Sequence, residues 1–391
     1  MSESWFNMFR DTESVKRFGW RWRRFPGLRT GVAGHNTAMV TPLHGRGAVS
    51  NPQHRFEALA REAEDDGWAR EEEETFLPET RVIEQLAKTA LTRNDSPDIP
   101  FDRSVNPYQG CEHGCVYCYA RPSHAYHGFS PGLDFETRII ARPNLAEVLR
   151  RELAKPGYRP APVALGANTD PWQPVERRLG ITRQVLEVLA EARHPLTLVT
   201  KGSLVERDLD LLAGMARDGL VHAAVSISTL DAGLARRLEP RAASPARRLR
   251  TLARLTEAGI PCAVLAAPMI PMLTDTDLEK VLEAARDAGA RTAGYVFLRL
   301  PHELKDVFQD WLAAHFPLRA EHVMSLVRQM REGRENQSGF GVRQRGTGIY
   351  ADLLAQRMTK AKRRLGLMGG LPPLVVEHFR PPGAGGQISL F

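Results

Sequence analysis

Cys111, Cys115 and Cys118 fall within eight residues of the segment NPYQGCEHGCVYCYARP (106–122), and they are three of only four cysteines in 391 residues. Cysteines crowded in this way do not make a disulfide framework. They indicate a reducing compartment and one loop that presents three thiolates to a single inorganic centre. A structural zinc ion would need a fourth ligand, for which His113, His124 or His127 lies within reach along the chain. A second paired CxxC is missing, and Cys262 sits far away in an apolar run, PCAVLAA, that reads as a buried strand. The alternative is a 4Fe–4S cluster held by three cysteines, with one iron left open for a further ligand. Either way, the chain must hold this loop rigidly on a larger scaffold.

The scaffold is legible downstream. Short apolar runs rich in β-formers occur at 161–167, 196–200, 221–228, 261–267 and 293–299, and SVNPYQ (104–109) can serve as a first strand. Helical patterns lie between them. Ile181, Val185, Val188 and Leu189 share one helix face. Ser244 with Pro245 opens a second helix that Gly259 stops, and Thr276 with Glu279 has capping-box spacing ahead of a third. Alternation of strand and helix predicts a parallel sheet with outer helices, and six units suit a partial TIM-type (β/α)6 barrel. No GxGxxG follows the first strand, which argues against a dinucleotide fold.

Composition sets the remaining bounds. Hydrophobic residues at 42% and charged residues at 25% exclude a wholly disordered chain. A formal charge of +7 permits a polyanionic partner without demanding one. No run approaches the ~18 apolar residues of a membrane helix. The opening MSESWFNMFRD has no apolar signal core. The expectation is a cytoplasmic protein with four parts. These are an irregular N-terminal extension (1–98), the α/β core (99–300), a helical and basic region (301–380) and a tail (381–391). Within the extension only RVIEQLAKTAL (81–91) has a helical period.

The Cx3Cx2C spacing, with Tyr117 just before the third cysteine and the motif just after a first strand, closely resembles the radical SAM superfamily. NTDPWQPVE (168–176), LVTKGSLVERDLDLL (198–212), SISTLD (226–231), RRLEPRAASPARRL (236–249) and APMIPMLTD (267–275) look like its spore photoproduct lyase-like branch. GRGAVSNPQHRFE and NDSPDIPFDRSVNPYQGCEHGC look like one bacterial subgroup of that branch. The resemblance implies a 4Fe–4S cluster on Cys111, Cys115 and Cys118, an external electron donor, and S-adenosylmethionine on the open iron. Reductive cleavage would then give a 5′-deoxyadenosyl radical, used in a lyase-like, DNA-repair-like reaction. The alternatives are the same chemistry on RNA or protein, or a non-catalytic iron–sulfur or zinc protein that scaffolds a DNA-clamp complex. The resemblance also implies that Lys201 contacts the methionyl group, that Arg248 reaches the cofactor carboxylate, and that Tyr117 and Tyr119 relay a hydrogen atom. One departure stands out: in LGANTD, Asn168 occupies the place where spore photoproduct lyase carries a hydrogen-donating cysteine.

Parallel sheets place function at the C-terminal ends of their strands. Those ends carry Asn168, Thr169 and Asp170; Thr200 and Lys201; Ser226 and Ser228; Pro268; and Arg299. Asn168, Lys201 and Ser228 are expected to converge on one cofactor pocket. Two basic stretches suit a polynucleotide. In KRFGWRWRRFPGLR, Trp20, Trp22 and Phe25 alternate with arginines, and 343–364 carries seven Lys/Arg against one acidic residue. Each reads equally as a solvated face or basic arm. After PPGAGG the chain ends in QISLF, which is similar to the peptide by which bacterial proteins dock on the DNA sliding clamp. Gln387, Leu390 and Phe391 would be its anchors.

Overall fold

The structure, a computed structural model, describes residues 45–57 and 79–383. The basic aromatic stretch near Trp20 and the QISLF tail lie outside the described residues. Ten strands are present among the described residues: β1 Arg81–Glu84, β2 Leu91–Arg93, β3 Arg103–Val105, β4 Tyr108–Gln109, β5 Arg138–Ala141, β6 Val163–Leu165, β7 Leu196–Thr200, β8 Val221–Ser226, β9 Cys262–Met269 and β10 Thr292–Phe297. Seven of them form one sheet in the order β10-β9-β8-β7-β6-β3-β2. Each pair from β3 to β10 is parallel, and β2 joins β3 antiparallel. Parallel strands require crossovers. Five connecting helices supply them: Leu145–Leu153, Ile181–Glu191, Leu209–Arg217, Pro245–Glu257 and Leu278–Asp287. Helix Leu304–His315 follows β10 and completes six βα units. The fold is the expected α/β one, with an open sheet whose edges are β2 and β10.

Local chemistry explains the elements. Ile181, Val185, Val188 and Leu189 are all buried, so the amphipathic stripe faces the sheet. Ser244 Oγ accepts from Arg247 N at 3.3 Å, Pro245 takes the first helical position, and Gly259 at φ +82° lies just past the end.

Three expectations are corrected. SVNPYQ is not one strand. It divides into β3 in the main sheet and β4 in a small sheet ordered β1-β5-β4, because Asn106-Pro107 interrupts the ladder. RVIEQLAKTAL is not a helix. Val82 and Ile83 pair with Ile139 and Ile140 of β5. Beyond them, Asn144 brackets the Ala87 N–H and C=O, and the Glu152 carboxylate accepts from Ala90 N and Leu91 N. Tertiary partners thus satisfy this backbone and override its period. Thr276 caps nothing: its hydroxyl donates to Leu273 O, within a 3₁₀ turn (Asp275–Asp277) that precedes the helix.

After the sheet come helices Leu304–His315, Ala320–Gln329, Val342–Arg345 and Ile349–Arg364. The short one packs on β10. Its Arg343 pairs with Asp98, which lies between β2 and β3, with Nε to Oδ2 at 2.7 Å. A side-chain contact therefore joins the two edges of the open sheet.

Candidate functional site

The cysteine loop begins one residue after β4 and is fixed from several sides. Cys111 N donates to Phe135 O (2.9 Å), Val116 N to Leu238 O (3.0 Å), and Cys118 N to Cys115 O (3.2 Å). Gly110 and Gly114 take φ of +80° and +67°, and side chains there would meet Phe135 O and the Glu136 carboxylate. Beneath the loop lies Arg121, fully buried. Its guanidinium donates to the carbonyls of Cys115 (2.8 Å), Gly114 (3.1 Å), Pro131 (3.0 Å) and Gly132 (2.8 Å), and pairs with buried Glu136. Glu136 also accepts from Gly47 N (2.9 Å) and Ala48 N (2.8 Å), which lays the N-terminal segment across the loop. A Cβ on Gly47 would stand 1.7 Å from Gly114 O. Gly47→Ala is therefore expected to lower Tm and to speed loss of loop-bound metal to a chelator. Unchanged values for both would show that the segment does not brace the loop.

Cys111, Cys115 and Cys118 line one cavity of 560 Å³. The strand-end residues Asn168, Thr169, Asp170, Thr200, Lys201, Ser226, Pro268 and Arg299 line it too, as do Tyr117 and Tyr119. Ser228 and Arg248 do not. Ser228 Oγ donates to Glu239 Oε1 (3.4 Å). Arg248 is held by Glu239, Ala243 O (2.7 Å) and Ser226 O (3.0 Å). The Tyr117 hydroxyl also donates to Glu239, so one buried carboxylate collects three side chains named from sequence. Sequence reasoning missed Glu239 itself, and the only signal for it is its place in the LEPR motif (238–241). The Tyr119 hydroxyl donates to Ala167 O, next to Asn168. Lys201 Nζ stands 5.8 Å from the Tyr117 ring centroid.

Asp170 organises the floor of the cavity. It accepts from Thr200 Oγ1 (2.8 Å), Lys201 N (2.7 Å) and Trp172 N (2.9 Å), and His113 Nδ1 lies 3.3 Å away. Burial pushes its carboxyl up, but His113 and these donors prevail and hold it at about 2. His113 therefore faces a carboxylate. His124, buried and pulled down to about 4 by desolvation, is 2.9 Å from Arg138 O through Nε2.

The three thiols suit a metal-containing group. Burial pushes Cys111 and Cys115 well up, and Asp170 and the neighbouring thiols add to the rise at Cys111. Such thiols ionise when a positively charged centre binds them. Among the described residues no three His, Cys, Asp or Glu side chains converge as ligands of a single metal ion. Thiolates at separate corners of a cluster need not converge. Cys262 begins β9, fully buried at the opposite, N-terminal end of its strand, with Sγ 3.2 Å from Ile260 O. It takes no part in the cavity.

Comparison with known proteins agrees with this donor set. The model of the radical SAM superfamily matches residues 105–285. An uncharacterized protein of Mycobacterium tuberculosis is 39% identical over 249 residues, covering 63% of this chain and 73% of that one. An uncharacterized protein of Methanocaldococcus jannaschii is 26% identical over 196 residues, 50% of this chain and 70% of that one. Among solved structures, spore photoproduct lyase complexed with dinucleoside spore photoproduct superposes with a TM-score of 0.52 at 14% identity, over 74% of this chain and 80% of that one. A cysteine-to-serine mutant of the same lyase gives 0.52 at 16% identity, with the same coverage. Among the described residues no helix is long and apolar enough to cross a membrane. With its three cysteines opening on one cavity at the strand ends, this chain belongs to the radical SAM superfamily, whose members are enzymes that bind a 4Fe–4S cluster and S-adenosylmethionine.

Proposed function

We propose that this enzyme acts on nucleic acid, in a lyase-like reaction on damaged DNA. The observation that carries the reading is a pair of tyrosine–arginine contacts in the cavity lining. Two tyrosines there each lie beside an arginine: Tyr119 with Arg299 at 5.5 Å and Tyr295 with Arg345 at 5.4 Å. Aromatic faces stack on bases while arginine neutralises phosphate, and this pairing is how single-stranded nucleic acid is held. The volume of 560 Å³ lies within the range of small-molecule sites. The similarly folded spore photoproduct lyase has been solved with a dinucleoside photoproduct, which supports the same reading.

Cys111, Cys115 and Cys118 would hold the 4Fe–4S cluster. When bound, cluster and S-adenosylmethionine supply reductive cleavage of a carbon–sulfur bond, with the electron coming from an external donor. The chain's own residues do the positioning. Lys201, anchored through its backbone on Asp170 and with its ammonium beside Tyr117, would hold the methionyl group of the cofactor. Asn168 stands where a donating cysteine would otherwise be, and Cys262 is too deeply placed to replace it. The reaction therefore closes without a cysteine hydrogen donor at that strand end.

Anaerobic turnover with dithionite and S-adenosylmethionine tests the reading. Ultraviolet-damaged oligodeoxynucleotide should raise 5′-deoxyadenosine formation above the substrate-free rate, and RNA or protein should not. The reverse ranking would transfer the activity to another substrate class. Lys201→Ala should weaken S-adenosylmethionine binding roughly tenfold, about 1.4 kcal/mol, with iron content unchanged. Unaltered affinity would remove Lys201 from the cofactor site. The tail residues Gln387, Leu390 and Phe391 would recruit the enzyme to DNA through the sliding clamp, raising its local concentration. A labelled tail peptide should bind purified clamp, and a Leu390→Ala/Phe391→Ala peptide should not. Equal, negligible binding by both peptides refutes the docking.

A further inference from the structure

The segment 238–243 leads from helix Ala232–Leu238 into helix Pro245–Glu257, and it runs along the cysteine loop. Leu238 O accepts from Val116 N (3.0 Å), Arg241 N donates to His113 O (3.3 Å), and the Arg241 guanidinium pairs with Glu112 at 3.2 Å. A Cβ on Gly114 would stand 3.3 Å from Pro240 Cγ. The same segment also meets the strand end that carries Lys201, because Ala243 N donates to Lys201 O at 3.3 Å. One short stretch of chain therefore touches both the thiol-bearing loop and the lysine of the cavity.

Glu239 ties these contacts together. It is buried, and it does not line the cavity. One of its carboxylate oxygens accepts from the Tyr117 hydroxyl and, at 3.4 Å, from Ser228 Oγ; the other accepts from Arg248. Two routes lead from this carboxylate to Lys201. The first passes through Tyr117, whose ring centroid is 5.8 Å from Lys201 Nζ. The second passes through Arg248, whose Nε donates to Ala243 O (2.7 Å), and Ala243 N holds the Lys201 carbonyl. Among the described residues the Lys201 ammonium makes no hydrogen bond or ion pair. A lysine side chain has many rotamers, so its place here is set by the aromatic face beside it and by its own backbone. Glu239 fixes both.

We propose that Glu239 is a positioning residue for the cofactor, and that it sets Lys201 in register with the cysteine loop. The role rests on reading Lys201 as the methionyl contact and does not depend on the substrate class. A ligand gripped at two points loses affinity when the spacing of those points drifts. Here the two points are the thiol-bearing loop and the lysine ammonium. Both are referred to one carboxylate, through Tyr117 on the loop side and through Arg248 and Ala243 on the strand side.

The test uses full-length, cluster-reconstituted protein. S-adenosylmethionine affinity is read by equilibrium dialysis of the labelled cofactor, with iron content and Tm taken on the same samples. Glu239→Gln should weaken S-adenosylmethionine binding roughly fivefold to tenfold, with iron content as in wild type. Tyr117→Phe removes one hydroxyl and leaves the Glu239–Arg248 pair in place, and it should weaken binding in the same direction by a smaller factor. In a Lys201→Ala background neither substitution should weaken binding by more than about a further twofold, because the side chain they position is gone. A purely structural role would instead lower Tm and iron content, and its effect on affinity would add in full to that of Lys201→Ala. With iron retained, wild-type affinity in Glu239→Gln or full additivity with Lys201→Ala overturns the assignment. If Glu239→Gln fails to fold or to hold iron, the Tyr117→Phe cycle decides alone: wild-type affinity there, or a fully additive loss, overturns it. If Lys201→Ala itself binds S-adenosylmethionine as wild type does, the Lys201 reading fails and the positioning role with it.

Discussion

Anaerobically reconstituted Cys115→Ala protein should hold background iron where wild type holds about four atoms per chain, and its brown chromophore should be absent. 5′-Deoxyadenosine formation should vanish with it. The size of the effect follows from the donor set. Only three thiols line the cavity, and the fourth cysteine of the chain, Cys262, is fully buried at the far end of β9. Among the described residues no other cluster of metal-binding side chains can compensate. The same loss is expected for Cys111→Ala and Cys118→Ala, and Cys262→Ala should keep its iron. A stoichiometric zinc content with no iron in the wild-type protein would refute the assignment, as would full iron retention in Cys115→Ala. Because burial holds Cys111 and Cys115 far above their ordinary values, cluster assembly must displace protons from them. Iron uptake should therefore fall as the reconstitution buffer is acidified.

Arg121→Met should cost about 3–5 kcal/mol, the range for breaking a buried charge pair, and lower Tm on the order of 10 °C. Arg121 and Glu136 are both fully excluded from solvent, and methionine takes away the guanidinium that pairs with the Glu136 carboxylate. It also strands four loop carbonyls, those of Gly114, Cys115, Pro131 and Gly132. Two of these belong to the cysteine loop, so iron retention should fall along with stability. The double variant Arg121→Met/Glu136→Gln restores electroneutrality and should recover part of the Tm but not the iron. Calorimetry with iron analysis on the three proteins separates the roles. A single variant as stable as wild type would show that the pair does not brace the loop.

The candidate site was largely readable because parallel sheets obey a positional rule. Apolar runs that stop at Asn168, Lys201, Ser226 and Arg299 mark strand ends, and those side chains do share one cavity. The spacing of Cys111, Cys115 and Cys118 needed no tertiary information at all. What stayed hidden depends on contacts distant in sequence. Glu239 gathers Tyr117, Ser228 and Arg248 although 122 positions separate it from Tyr117, and no local period announces such a node. That capture turns Arg248 and Ser228 away from the cavity. Residues 81–91 misled for the same reason: their helical period is real, but β5, Asn144 and Glu152 supply better partners for the backbone. Arg345 and Lys362 could be read only as part of a basic stretch, since nothing in sequence says that the last two helices line the cavity with the cysteines.

The Asp98–Arg343 contact has a topological consequence. Here β2 and β10 share no ladder, and Asp98, between β2 and β3, meets the short helix on β10 through Arg343, the Gly341 N–H and the Gln344 side-chain amide. Such a latch can part and re-form without unzipping any backbone pairing, because no ladder hydrogen bond crosses between the two edges. Acid governs it in a known direction. Burial pushes the Asp98 carboxyl up, but Arg343 and the Gly341 N–H outweigh it and hold it below its ordinary value of 3.8. The latch is therefore at full strength above that value and fails as pH falls through the lower folded one.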